Sequence, residues 1–151
     1  MEKPFPLFID LSGQPVTVVG GGKVGRRRVE ALLSFGALVT VIDPEESPWP
    51  EGVTLLPRPY RMGDLAGAVL AVAATDDRAV NRQVGLEAKE RAVPVSVADC
   101  AAECSFFFPA ICQGQGLVAG LVSEDGNHKK TARAAAAVRK LLREMEGETH
   151  G

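Results

Sequence analysis

The sequence predicts an α/β fold built around a parallel sheet. Short apolar runs rich in β-branched residues alternate along the chain with stretches of helical periodicity, which indicates βαβ units with right-handed crossovers. The 151 residues suit one domain with a sizeable core, and 46% of them are hydrophobic. A formal net charge of -2 argues against nucleic acid and anionic membranes as partners. No apolar run reaches the roughly 18 residues that a membrane span needs.

Five apolar runs are predicted to be the strands of this sheet, because turn-forming residues bound them and β-branched residues fill them. A first helix is expected between the first two strands, where apolar residues recur at helical spacing up to Gly36. Asp76 and Asp77 can cap a second helix, which should run to about Arg91. The predicted strands are residues 16–19, 38–42, 53–56, 68–74 and 93–97.

After Asp99 the alternation ends. Two apolar runs, residues 106–112 and 117–122, flank a Gln- and Gly-rich stretch and predict a hairpin, and an amphipathic helix is expected over about residues 129–144. We therefore predict that residues 1–99 form the sheet domain and that residues 100–151 form a dimerisation segment. A subdomain folded back on the sheet is the alternative.

The stretch from Gly20 to Gly25 has the form G-x-G-x-x-G and stands directly between the first strand and the first helix. The first glycine permits a tight turn, Gly22 lets the backbone approach a pyrophosphate, and Gly25 lets helix and strand pack closely. The free N–H groups of the helix then face the phosphates. This context predicts a Rossmann-type parallel sheet that binds a dinucleotide. The alternative is a Gly-rich turn in a flavodoxin-like or sensor domain.

An acidic residue, Asp43, ends the second strand 18 residues after Gly25. A carboxylate at this point binds ribose hydroxyls and repels a 2′-phosphate, which favours NAD over NADP. Against this stands a basic cluster around the loop, since Lys23 and the arginines at 26–28 could instead meet a 2′-phosphate. The cofactor-binding residues predicted in these two regions are Gly20, Gly22, Lys23, Val24, Gly25, Asp43 and Pro44.

Three polar residues follow the later strands, where the carboxyl ends of a parallel sheet line its ligand crevice. Thr75 and Asp76 follow the fourth strand and are predicted to flank the cofactor, with simple helix capping as the alternative. Asp99 ends the fifth strand and is a candidate for proton transfer, or else a carboxylate that caps a turn.

The three cysteines have no disulfide spacing, which favours reduced thiols. Cys100 and Cys104 are spaced for a metal, but no second pair of ligands stands nearby, so we predict buried thiols and no metal site. The first residues lack the order of a secretion signal, and the expected location is the cytoplasm.

Several separated motifs, taken together and in order, resemble the precorrin-2 dehydrogenase/sirohydrochlorin ferrochelatase family, the N-terminal module of siroheme synthase. They are residues 5–11, 18–25 and 27–28, Ala73-Ala74-Thr75-Asp76-Asp77 with Asn81, residues 95–99, Cys104-Ser105-Phe106 and Pro109-Ala110. The chain departs from the family over residues 124–130, where small residues with Ser-Pro are usual. The family also continues into a further helical region beyond the point that matches Gly151, so the chain resembles a short form.

The resemblance implies oxidation of precorrin-2 to sirohydrochlorin with NAD as hydride acceptor, and in many members also insertion of ferrous iron. It implies a Rossmann domain followed by a region that exchanges strands in a homodimer. The family's essential aspartate falls on Asp99, and a serine phosphorylated in some relatives falls on Ser123. The basic residues from Lys129 onward would then hold the carboxylates of the tetrapyrrole.

Two other functions compete with this enzyme. A glycine-loop domain without a complete substrate cleft could sense NAD(H) for a partner without turnover. A chelatase or metallochaperone could use the macrocycle and Asp99 without redox chemistry, although the glycine loop would then have no purpose. Whether iron insertion is retained, and whether a partner completes the cleft, stay open at this point.

Overall fold

Five short parallel strands form the main sheet of the computed structural model, which describes residues 3–145. The strands are β1 (Pro15–Val19), β2 (Leu38–Ile42), β3 (Val53–Leu56), β4 (Leu70–Ala73) and β5 (Val95–Val97). Two helices connect them, α1 (Lys23–Ser34) after β1 and α2 (Arg78–Arg91) after β4. None of the helices in residues 3–145 has both the length and the apolar run that crossing a membrane requires.

The strand order β3-β2-β1-β4-β5 puts β1 at the centre of the sheet. The chain runs outward from β1 to β3 and then returns to β4 on the other side, so the order reverses between β1 and β4. In open α/β sheets such a reversal opens a crevice at the carboxyl ends of the strands, where ligands bind. Residues 20, 43, 74 and 98–99, which follow four of these strands, therefore share one edge.

The strand runs are buried because both faces of the central sheet are covered. Val16, Val18 and Val41 are fully buried, and all four residues of β4 are buried. This explains why the strands appear in the sequence as continuous apolar runs rather than as alternating patterns. Gly85 lies where α2 packs against β5, and a Cβ added there would meet Val97 Cγ2 at an ordinary contact distance of 3.5 Å.

Three strands begin later than the sequence predicts, the fourth at Leu70 instead of Ala68. The fifth strand was expected from Val93, but the Val93 N–H completes the end of α2 by donating to Ala88 O, and Pro94 has no N–H to donate. The sixth was expected from Phe106, whose N–H instead donates to Val95 O beside β5.

The later part of the chain forms an antiparallel hairpin and a helix: β6 (Ala110–Gly114), β7 (Leu117–Leu121) and α3 (His128–Glu144). The hairpin is closed by Gln115 and Gly116, both at positive φ (55° and 74°), which is the conformation of a two-residue type I′ turn. The predicted hairpin and final helix are thus present, with a shorter turn than the Gln- and Gly-rich stretch suggested.

The chain divides into two compact units. Phe8–Phe106 holds the parallel sheet, and the remaining described residues hold the hairpin and α3. The first unit extends beyond Asp99 because Cys104 and Ser105 bond to β5. The functional division at residue 99 into a cofactor domain and a dimerisation segment stays a prediction.

Candidate cofactor and catalytic site

The glycine loop is shaped by backbone contacts that leave no room for side chains at two of its positions. Gly20 has φ +106°, and a Cβ there would lie 2.5 Å from Ala74 O. A Cβ on Gly25 would lie 1.9 Å from Gly20 O, so only glycine lets α1 begin this close to the end of β1. These are the turn and helix-packing roles expected of the first and third glycines.

Gly22 is different, because a Cβ at this position would meet nothing within 4 Å. It is the N-cap of α1, with φ -75° and ψ -166°, and it supplies no side-chain acceptor to the first helical turn. Lys23 and Val24 follow as the first helical residues. The helix therefore presents backbone N–H groups beside an open face, which suits a pyrophosphate.

The Asp43 carboxylate also holds the glycine loop in place, a role that the sequence did not reveal. Its Oδ2 accepts a hydrogen bond from Gly21 N at 2.6 Å, and its Oδ1 accepts one from Glu45 N at 2.7 Å. The carboxylate thus ties the glycine loop to the end of β2, with the exposed Pro44 directly after it. Each oxygen retains a further lone pair that a ribose hydroxyl can use.

Thr75 is fixed by a buried asparagine. Asn81, fully buried in α2, accepts from Thr75 N at 3.0 Å and from Thr75 Oγ1 at 2.7 Å, and its Nδ2 donates to Thr75 O at 3.0 Å. The cap of α2 is Asp77, which accepts from Ala79 N at 2.9 Å. Asp76 is exposed between them. Sequence reasoning missed the role of Asn81, which it noted only as part of a family motif.

Asp99 lies at the end of β5 in an ion-paired cluster. Arg78 Nη1 donates to Asp99 Oδ1 at 2.6 Å, and Arg78 Nη2 donates to Glu103 Oε2 at 2.7 Å. Asp99 remains 38% exposed and borders an open groove of about 1090 Å³. Arg82 and Lys89 of α2 add positive charge to the lining of this groove. Neither Arg78 nor Glu103 was singled out from the sequence, because Arg78 bonds to Asp99 and to Glu103 across 21 and 25 residues of the chain.

The segment Cys104-Ser105 covers the outer edge of β5. Ser105 Oγ accepts from Val95 N at 2.9 Å, and Cys104 Sγ accepts from Val97 N at 3.1 Å. Burial raises the pKa of the Cys104 thiol, which keeps it protonated at neutral pH. The described residues contain no group of three His, Cys, Asp or Glu side chains that could hold a metal. By accepting backbone N–H groups of β5, Cys104 and Ser105 protect this edge strand.

A buried carboxylate outside the crevice also escaped sequence reasoning. Glu87 is 1% exposed and accepts from Tyr60 Oη, from Gly63 N at 3.0 Å, from Leu65 N at 3.1 Å and from Arg91 Nε at 2.7 Å. Burial acts to raise its pKa, but these hydrogen bonds outweigh burial and hold the pKa below its usual value. Glu87 thereby fixes the turns that precede β4. The i, i+4 spacing of Glu87 and Arg91 was its one signal in the sequence.

In the second unit, the predicted positions are the half-buried Ser123 and the exposed basic residues of α3. Ser123 Oγ accepts from Asn127 N at 2.9 Å, and the Asn127 side chain caps α3 by accepting from Lys130 N at 3.0 Å. Lys129, Lys130 and Arg133 are exposed on the first turns of α3. Modification of Ser123 stays a prediction.

Comparison with known proteins agrees with this architecture. The "Probable multifunctional siroheme biosynthesis protein HemA" of Ruminiclostridium josui is 46% identical over 144 residues, which cover 91% of this chain and 28% of that protein. The "Siroheme synthase" of Azotobacter vinelandii is 41% identical over 138 residues, covering 87% and 30%. The chain thus spans under a third of the length of these relatives. Among solved structures, "SirC, precorrin-2 dehydrogenase" superposes with a TM-score of 0.76 at 25% identity, over 91% of this chain and 70% of that one.

The predicted Rossmann-type parallel sheet, followed by extra strands and a helix, is confirmed by this likeness. A family model described as "Putative NAD(P)-binding" matches residues 7–110, the part that carries the glycine loop, Asp43, Thr75 and Asp99. Its description agrees with the predicted class of cofactor. Since this model spans well over half of the sequence, the chain belongs to this NAD(P)-binding family.

Proposed function

We propose that the protein oxidises precorrin-2 to sirohydrochlorin with NAD in siroheme biosynthesis. The observation that carries the proposal is the placement of a dinucleotide-type glycine loop and Asp99 at the same carboxyl edge of one sheet. A relative named for siroheme biosynthesis and a solved structure named precorrin-2 dehydrogenase support the choice of substrate. Insertion of ferrous iron is a further activity that the proposal leaves to experiment.

The loop fits a dinucleotide by its shape. Gly20 and Gly25 bring α1 against β1, and the open face at Gly22 gives a diphosphate access to the first N–H groups of the helix. Asp43 would bind the adenosine ribose and favour NAD over NADP. Thr75 and Asp76 would flank the cofactor from the neighbouring strand end. NAD, when bound, supplies a hydride acceptor.

Asp99 is the proposed proton acceptor. Oxidation of the macrocycle transfers a hydride to the cofactor and releases a proton from the substrate, so a carboxylate at the edge of the crevice is suited to receive it. Arg78 fixes the orientation of the Asp99 carboxylate by donating to its Oδ1. Because Arg78 also binds Glu103, it stays in place when Asp99 takes up a proton.

A homodimer is part of the proposal. In the described part of the second unit, Phe5, Leu7, Leu117 and Leu141 are 86%, 71%, 49% and 58% exposed, and large apolar side chains with this exposure mark surfaces that pair with another chain. Light scattering during gel filtration should give twice the 16.0 kDa mass of the chain. A monomeric mass at micromolar concentration would refute the proposed homodimer.

The charge of α3 supports the proposed tetrapyrrole contact, and the free thiols support the proposed cytoplasmic location. The exposed cations at the start of α3 would bind the substrate's carboxylates by charge-assisted bonds. Cys100, Cys104 and Cys112 are free thiols in the structure, which fits the proposed cytoplasmic location.

The decisive experiment follows absorbance after mixing the protein with precorrin-2 and NAD. We expect NADH and the sirohydrochlorin spectrum to appear together, and a second run with ferrous ion tests metal insertion. Asp99→Asn should lower kcat by about 100-fold or more, as expected for loss of a general base, with little change in the Kd for NAD. Glu90→Gln, an exposed acid on α2, is the matched control. No NADH above background would refute the proposed function, and full activity in Asp99→Asn would remove the role of that residue.

A further inference from the structure

The single tryptophan of the chain stands against the glycine loop. A Cβ on Gly21 would lie 2.9 Å from Trp49 Cζ2 and 3.3 Å from Asp43 Oδ2. Trp49 belongs to the loop between β2 and β3, which connects two parallel strands without a helix. The indole ring, Gly21 and Asp43 therefore meet at the corner proposed for the adenosine ribose.

Arg26 is directed onto this loop. Its guanidinium lies 3.9 Å from the centroid of the Trp49 ring, Nη1 donates to Pro48 O at 3.0 Å, and Nη2 donates to Ser47 Oγ at 3.1 Å. One face of the guanidinium and both terminal nitrogens are thus engaged by residues 47–49. Stacking on an aromatic ring and hydrogen bonding in one plane hold an arginine in a fixed orientation.

The position of Arg26 bears on the cofactor. The sequence left open whether Arg26 meets a 2′-phosphate, since an arginine beside the ribose is the usual partner of that group. We infer that the segment Ser47–Trp49 determines the preference for NAD by engaging the Arg26 guanidinium, which is then not available to bind a 2′-phosphate. The inference rests on the proposed dinucleotide binding and adds a positioning role for Trp49.

Trp49 acts here through its ring face. Among the described residues, its Nε1 is a buried nitrogen without a hydrogen-bond partner. Loss of the indole N–H therefore removes no hydrogen bond, and a phenylalanine ring can still support the guanidinium. A leucine cannot, because it has no aromatic face.

Calorimetry with NAD and with NADP tests the inference on the full chain. The wild type should bind NAD more tightly, and Trp49→Leu should narrow the ratio of the two Kd values by about tenfold, the size of one charge-assisted hydrogen bond. Trp49→Phe should keep the wild-type ratio. The double variant Arg26→Ala/Trp49→Leu should return to it, because the released guanidinium is what binds the phosphate.

Several results would overturn the inference. One is a ratio of the Kd values for NADP and NAD that does not change in Trp49→Leu, provided that this variant unfolds as cooperatively as the wild type. Another is a double variant in which this ratio is as narrow as in Trp49→Leu alone. Arg26→Ala alone gives a test that does not depend on Trp49→Leu folding. A weaker Kd for NADP in that variant, with NAD unaffected, would show that Arg26 already reaches the 2′-phosphate. If the wild type bound neither nucleotide, both the proposed function and the inference would be refuted. If the wild type bound NAD but the ratio of the two Kd values were the same in all variants, only the inference would be refuted.

Discussion

Replacing Gly22 with alanine should separate cofactor binding from folding. The backbone at Gly22 has φ -75°, which alanine adopts freely, and the added Cβ meets nothing within 4 Å. Alanine is a poorer N-cap than glycine by roughly 0.5–1 kcal/mol, but it also restricts the unfolded chain, which stabilises by about 0.4–1 kcal/mol. The two effects nearly cancel, so the free energy of unfolding should change by less than about 1 kcal/mol.

The effect on binding should be much larger. A methyl group on the open face keeps a pyrophosphate from the N–H groups of α1, and loss of one hydrogen bond to a charged group costs about 1.5–3 kcal/mol. This corresponds to a Kd for NAD that is weaker by roughly 10- to 150-fold.

Calorimetry and urea unfolding measure the two quantities on the same preparation. Gly85→Ala, inside α2, is the matched control, because its Cβ would make only ordinary contacts with Val97 and Glu103; it should stabilise by about 0.5–1 kcal/mol and leave NAD binding intact. A Kd in Gly22→Ala within twofold of the wild type would refute the assignment of this face to the pyrophosphate.

Two further variants test the packing of the sheet domain. Gly25→Ala places a Cβ 1.9 Å from Gly20 O, and urea unfolding should show a loss of about 3 kcal/mol or more; wild-type stability would show that α1 shifts without cost. Glu87→Gln leaves Leu65 N and Arg91 Nε facing an amide group, and should cost about 2 kcal/mol at pH 7 in the same assay. Since the pKa of Glu87 is lowered in the folded state, its stabilisation is present above its unfolded pKa of about 4.5 and is lost as the pH falls through the lower folded value. The gap between wild type and Glu87→Gln should therefore shrink below about pH 4.5, and a gap that stays constant down to pH 2.5 would contradict this account.

The sheet was predictable because its signals are local. β2 and β3 begin and end where the apolar, β-branched runs do, and the glycine loop stands where the first strand meets the first helix. The errors at β5 and β6 arose where tertiary bonds, such as the one from Phe106 N to Val95 O, replaced the local pattern. Composition and periodicity carry no information about such a bond.

The candidate site was predictable as a set of positions, but not as a set of contacts. Asp43 and Asp99 stand out because each ends a strand. Their partners do not, since Gly21 N and Arg78 come close to them only when the parallel strands assemble. Asn81 was equally hidden, because a buried amide inside a helix looks in the sequence like any other polar residue.

The contacts of Asp43 also decide where cofactor preference can be altered without harm to the site. The carboxylate accepts backbone N–H groups from Gly21 and from Glu45, so a neutral residue at this position would weaken ribose recognition and release the glycine loop together. Affinity for both dinucleotides would fall, which differs from a change of preference. Trp49 contacts Arg26 and takes no part in the hydrogen bond between Gly21 and Asp43, so a change at Trp49 leaves that bond in place. A protein of this family that accepts NADP is therefore better sought by changing the loop at residue 49 than by removing the acid at the end of β2.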